Sequence, residues 1–188
     1  LNAVAHRDYL VNANIMVVQH EDRIEITSPG GFIGGVTPEN ILHHNPTHRN
    51  PTLVGLLHGL GLIEEVGVGV DRVYEALLRY GKEPPFYEAT GDYVRCVIQS
   101  GRLDGAFVKY VEMQGDKGVD ISLDELLVLH HAKRFSTIDR AMAARIIQRP
   151  EREGTGILAG MVDRGFLSRH GSRGGSHYRL ASSVARQL

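Results

Sequence analysis

The spacing of hydrophobic positions changes several times along the chain. Leu1, Val4 and Ala5 share one face of a short helical start. Residues 14–20 form a β-branched run, Glu21-Asp22 is a two-residue turn, and residues 23–27 alternate polar and apolar. Together they predict a hairpin. Pro29-Gly30-Gly31 ends it, and Gly34-Gly35 extends an irregular loop. Thr37 before Pro38 predicts a helix start, with Thr37 as N-cap and proline at the first helical position. After a His/Asn/Pro-rich loop over 43–51, Leu53, Leu56, Leu57 and Leu60 fall at helical spacing. Val70, Val73, Leu77 and Leu78 predict an amphipathic helix ending at Gly81. Glu83-Pro84-Pro85 breaks the chain, and residues 86–90 and 93–99 read as two strands around Gly91-Asp92. Strands interleaved with helices predict an α+β domain over residues 1–100.

Residues 101–118, punctuated by Gly101, Gly105, Gly115 and Gly118, read as a linker with some helical character over 103–113. Beyond it the pattern is different. Ser122 can cap a helix carrying Leu123, Leu126, Leu127 and Leu129. Ile138, Met142, Ile146 and Ile147 mark a second helical face, and Ile157, Leu158, Met161 and Val162 a third, closed by Gly165. Two short strands follow, 166–170 and 177–180, around a glycine-rich basic tip. Three helices and a basic hairpin outline a winged helix-turn-helix over residues 119–188.

The chain has 188 residues, with 42 % hydrophobic and 23 % charged, enough apolar surface for a folded core. No window approaches a membrane span, and the first residues are too polar for a signal peptide. The chain starts at Leu1 without Met, which predicts a piece of something longer. One cysteine, Cys96, excludes an internal disulfide framework and a four-thiolate zinc site, and a reducing cytoplasm is the expected home. The net charge of −1 hides an asymmetry. Residues 1–114 carry 9 basic and 14 acidic side chains, whereas residues from His130 onward carry 11 and 4. An acidic half followed by a basic one predicts two domains and a polyanion partner, double-stranded DNA, for the second.

The expected DNA-contacting residues are Arg152, Thr155 and Arg164 on the third helix, with Arg169, Arg173 and Arg179 on the hairpin. In the first half, His6-Arg7-Asp8 mimics a kinase catalytic loop, but position 13 is Ala13 where that loop needs Asn. Gly30-Gly31, Gly34-Gly35 and Gly67-Val68-Gly69 could cradle phosphate through backbone amides, although no Walker motif occurs. A metal site from His43, His44 and His48 is disfavoured, because Pro46 prevents a helical pair. Cys96 alternates with Val94 and Ile98 and reads as core.

Three strings carry a resemblance when taken in order. They are residues 1–9 (LNAVAHRDY), residues 22–32 (DRIEITSPGGF), and Arg49-Asn50-Pro51 with Gly61-Leu62-Ile63-Glu64 and Gly67-Val68-Gly69 behind it. Over about residues 1–100 the chain resembles bacterial RecG-related transcriptional regulators, often labelled ATP-dependent DNA helicases. The resemblance implies a Schlafen-type domain upstream, a degenerate GHKL-type ATPase-like α/β sandwich here, and a winged helix at the end. It also implies ATP and Mg²⁺ as cofactors. Asn2 matches the Mg²⁺-holding Asn, whose catalytic Glu partner would precede Leu1. Gly30 and Gly31 match the second motif, and Gly67 and Gly69 the phosphate loop. The adenine-binding Asp is replaced by Ser28, a neutral acceptor in place of a charged one.

The expected function is a DNA-binding transcriptional regulator with a degenerate nucleotide-binding domain, as a homodimer, without helicase or ATPase turnover. An ATP-binding or ATP-hydrolysing enzyme using Asn2 is the first alternative. An oligomerisation module is the second.

Overall fold

The first hairpin forms where the β-branched run predicts it. Strand β1 (Met16–Gln19) pairs antiparallel with β2 (Arg23–Pro29), Val17 opposite Ile26 and Val18 opposite Glu25. The His20 N–H donates to the Arg23 carbonyl at 2.8 Å and closes the turn over Glu21-Asp22. The computed structural model describes residues 1–63, 67–171 and 175–188. The chain divides into two compact units, Leu1–Leu77 with Lys82–Arg102, and Leu78–Gly81 with Leu103–Leu188. The fold is mixed α+β with antiparallel sheets.

In the first unit, β3 (Phe86–Ala89) and β4 (Tyr93–Gln99) complete a four-stranded sheet in the order β1-β2-β4-β3. The central pair, β2 and β4, is in register from Arg23 opposite Gln99 to Pro29 opposite Tyr93. β1 is an edge strand with all four residues exposed. Helices α1 (Asn2–Ala5), α2 (Pro51–Gly59) and α3 (Gly69–Arg79) accompany the sheet. Ala5 of α1 packs on Val54 and Leu57 of α2, with Leu53 and Ile63 at the margin.

The helix expected from Thr37 does not form; the chain makes consecutive turns there. The Asn40 Oδ1 accepts from the Thr37 N–H at 2.7 Å, and Thr37 Oγ1 accepts from the Glu39 N–H at 3.2 Å. These are the bonds of a helix N-terminus, but the chain continues only as turns to His43 and soon meets Pro46, which disfavours helical backbone at the residue before it.

The second unit is built from α4 (Gly105–Asp116), α5 (Leu123–Phe135), α6 (Arg140–Ile146), α7 (Glu151–Asp163), β5 (Leu167–His170), β6 (His177–Leu180) and α8 (Ser182–Ala185). Residues 101–118, expected as a linker with helical character over 103–113, carry α4. Asp104 caps it, accepting from the Phe107 N–H at 3.1 Å, and Phe107, Tyr110 and Val111 are buried. These three sit at i, i+3 and i+4, one face of a helix. Ser122 and Glu125 form a reciprocal capping box at the start of α5. Gly154 packs against α6, where a Cβ would stand 3.1 Å from the Ala144 nitrogen, so glycine permits the close crossing. Leu126, Leu129, Ile147, Leu158 and Met161 are fully buried. β5 and β6 pair antiparallel, and Ile138, ahead of α6, bridges to Tyr178 through hydrogen bonds of 2.9 and 2.7 Å.

Candidate functional site

Distant strings of the first unit converge on the end of β2. The Asp8 N–H donates to the Pro29 carbonyl at 2.8 Å, and Ser28 Oγ donates to the Ala3 carbonyl at 2.8 Å. Arg49 bridges two of these pieces: Nη1 donates to Asp8 Oδ2 at 2.9 Å and Nη2 to the Gly31 carbonyl at 2.7 Å. Asn50 stands at the N-cap position of α2 but does not cap with its side chain. Its amide donates instead to the Ala5 and Arg7 carbonyls at 3.0 and 2.7 Å. The start of α2 therefore carries two polar side chains that hold the segment after α1 and the end of β2.

This arrangement fixes what the glycines do. The Gly30 N–H donates to the Asp92 carbonyl at 2.7 Å and the Gly31 N–H to the Gly91 carbonyl at 3.1 Å. Both amides are spent inside the protein rather than aimed at a ligand. Gly30 has φ +89°, and a Cβ there would stand 2.5 Å from Asp8 Cβ. Close backbone approach accounts for glycine at this position. Asn2 and Gly69 do come together: a Cβ at Gly69 would lie 3.3 Å from Asn2 Oδ1. Gly67 has φ +97° and abuts Pro46.

ATP and Mg²⁺ can be tested against this corner. Asn2 beside the start of α3 fits the cation and phosphate end, since an amide oxygen and backbone N–H groups meet there. The adenine end does not fit. Ser28 is 8 % exposed, uncharged, and its hydroxyl already bonds Ala3.

Other candidates resolve into packing. The Cys96 thiol is pushed up in pKa by burial, against a smaller opposing effect of its hydrogen bond with Tyr87, and Tyr87 stacks on Tyr74 at 6.4 Å. A thiol held protonated is a poor nucleophile. His6 and His48 lie with ring centroids 5.6 Å apart, and desolvation, then His48 and Arg49, lower the His6 pKa. The His44 Nδ1 lies 2.8 Å from the Asn45 carbonyl. No group of three or more His, Cys, Asp or Glu suited to a metal occurs among the described residues.

In the second unit the expected DNA contacts separate into two kinds. Arg164 is committed internally: Nη1 donates to Glu125 Oε1 at 2.5 Å, Nη2 to the Asp120 carbonyl at 2.6 Å, and the guanidinium lies over the Phe166 ring. Arg149 is likewise tied to Asp124 and Glu153. Thr155 Oγ1 donates back to the Glu151 carbonyl at 2.8 Å. Arg152, Arg169 and Arg179 are exposed, and none has a carboxylate partner among the described residues. Arg169 donates to Ser176 Oγ at 2.9 Å, across the hairpin. Arg173 lies outside the described residues.

Nothing local announces the clamp of Arg49 and Asn50. Asn50 before Pro51 has the look of an ordinary N-cap with proline at the first helical position, and its actual partners, the Ala5 and Arg7 carbonyls, stand 45 and 43 residues away.

No helix of the described residues is long and apolar enough to cross a membrane. No curated protein matches the chain. The crystal structure of the DIP2311 protein from Corynebacterium diphtheriae is similar, with 27 % identity and a TM-score of 0.78. All of this chain is covered, and it spans 40 % of that protein's chain. Residues 12–98 match the family described as "Putative ATP-dependent DNA helicase recG C-terminal", which supports a RecG-related ATPase-like domain over that stretch.

Proposed function

We propose that this chain is a DNA-binding regulator module. Its second unit acts as a winged helix on duplex DNA, and its first is an ATPase-like domain without turnover. One observation carries the reading. Among the cations of the basic half, Arg149 and Arg164 are spent on carboxylates, whereas Arg152 on α7 and Arg169 and Arg179 on the hairpin face solvent without one. Exposed cations on the third helix and the following hairpin are where a winged helix meets phosphates. The order α5, Ile138, α6, α7, β5, β6, with Ile138 bridged to Tyr178, supports the same reading.

Binding of a labelled duplex by the full chain, measured by anisotropy across a salt series, tests it. Replacing Arg152, Arg169 and Arg179 with Ala weakens binding and flattens the salt dependence, by up to about 0.9 in log–log slope per lost phosphate contact. Equal affinity and slope in the triple variant overturn the reading.

A second reading, nucleotide binding by the first unit, is favoured by Asn2 lying against Gly69. Calorimetry with Mg-ATP, repeated on Asn2→Ala, tests it. Heat of binding that disappears in the variant supports a nucleotide site, and Asn2-dependent hydrolysis would make the domain an enzyme.

A further inference from the structure

Two imidazoles meet across the β5–β6 hairpin. His170 and His177 are register partners, so they project from the same face of the ladder. Their ring centroids are 5.7 Å apart and their planes differ by 19°. The face is the outward one. Leu167 and Tyr178 point to the core and are 2 % and 3 % exposed, while Ser168, His170, His177 and Arg179 alternate with them. Ser168 Oγ stands 3.0 Å from His170 Nε2. No carboxylate pairs with either ring among the described residues.

We infer that His170 and His177 form a two-imidazole site for a late first-row divalent cation, zinc or copper, with water completing the coordination. Neutral imidazole is the common ligand for these ions. Two nitrogens bound to one tetrahedral zinc at about 2.1 Å each lie about 3.4 Å apart. Ring centroids 5.7 Å apart put both imidazoles within range of one ion, and the broad terminal torsion of each side chain lets a nitrogen of each ring turn towards it. Ser168 serves as the outer partner. With its hydroxyl accepting from the His170 Nε2–H, the Nδ1 lone pair is left for the metal, the usual arrangement of a ligating histidine. Arg179 shares the face, but it is exposed, and solvent and salt screen its repulsion of a cation. A bound ion would staple β5 to β6 at the turn end of the hairpin, where the two strands meet their connecting loop.

The test uses the full chain, without DNA, and zinc or copper alone. Zinc is followed through the side-chain NMR signals of His170 and His177. Both rings respond together and saturate with one ion. His170→Ala and His177→Ala each weaken this site at least tenfold, Ser168→Ala weakens it several-fold, and His58→Ala on α2 leaves it unchanged. Copper, followed by its ligand-field absorption, binds more tightly than zinc. Both affinities fall as the pH is lowered, because protons compete for the same nitrogens. Since both histidines project from the outward face, the variants keep the parent's thermal midpoint in the absence of metal. A His177 response that survives His170→Ala, or zinc shifts confined to other histidines, overturns the site.

Discussion

Arg49 joins Asp8 at 2.9 Å across forty-one residues of sequence, and the same guanidinium donates to the Gly31 carbonyl at 2.7 Å. The planar fork of arginine meets a carboxylate and a carbonyl at once, which a lysine ammonium on a single stem cannot reproduce in this geometry. The pair is half-buried, with side-chain exposures of 23 % and 22 %. Arg49→Lys therefore lowers the stability of the first unit by about 1–3 kcal/mol, the scale of a charged hydrogen bond lost with a carbonyl left unpaired. Urea unfolding followed by circular dichroism measures it. A lysine variant with the parent's midpoint would show that the clamp adds nothing to the fold.

The glycines of the first unit separate by what surrounds them. A Cβ on Gly31 would run into the Thr90 carbonyl oxygen, whereas Gly55 and Gly59 in α2 have nothing within 4 Å of that position. Gly31→Ala therefore destabilises by about 1–3 kcal/mol through forced backbone movement. Gly55→Ala, inside a helix with open space, stabilises by about 0.5–1 kcal/mol. Thermal midpoints of the two variants should move in opposite directions. If Gly31→Ala is neutral in stability yet abolishes nucleotide binding, the glycine serves a ligand rather than the fold.

The sheet of the first unit was legible in the sequence because its signals are local. The β-branched run before Glu21-Asp22 and the strands around Gly91-Asp92 need only neighbours to be recognised. The capping box at Ser122 is local too. The failures share a different cause. The Thr37 segment carries a helix-start pattern and makes its cap-like bonds to Glu39 and Asn40, but no helix follows them in the few residues before Pro46. The glycines at 101, 105, 115 and 118 gave a helical stretch the look of a linker, whereas α4 buries Phe107, Tyr110 and Val111 as part of the second unit. In the candidate sites, Arg164 and Arg152 look alike in sequence. What distinguishes them is Glu125, thirty-nine residues before Arg164 and visible only after folding.

That partnership predicts that Arg164 stabilises the second unit and adds nothing to DNA binding. Glu125 has a side-chain exposure of 11 %, and its two oxygens divide between Ser122 and Arg164. Arg164→Ala leaves a largely buried carboxylate without its cation, at a cost of about 1.5–3 kcal/mol. The DNA salt dependence of this variant should match the parent's when both are measured well below the variant's melting temperature. A flattened slope with unchanged stability would return Arg164 to the DNA surface.

Asp104 and Lys133 give the second unit an acid-sensitive tie. Burial works to raise the Asp104 pKa, but the Lys133 ammonium that it meets directly and the Phe107 N–H outweigh it, so the carboxyl is held below its usual range. A carboxyl with a lower pKa in the folded state binds fewer protons there than when unfolded. Its contribution is therefore complete above the unfolded value of about 4 and is lost as the pH falls through the lower folded value. Asp104→Asn separates this effect from the helix cap, because Asn serves at an N-cap about as well as Asp. The variant should be less stable than the parent at pH 7, and the difference should shrink steadily between about pH 4 and pH 2. Denaturant midpoints for both proteins across that range check it. A constant difference across the range would mean that the ion pair contributes nothing and that the substitution acts only through the cap.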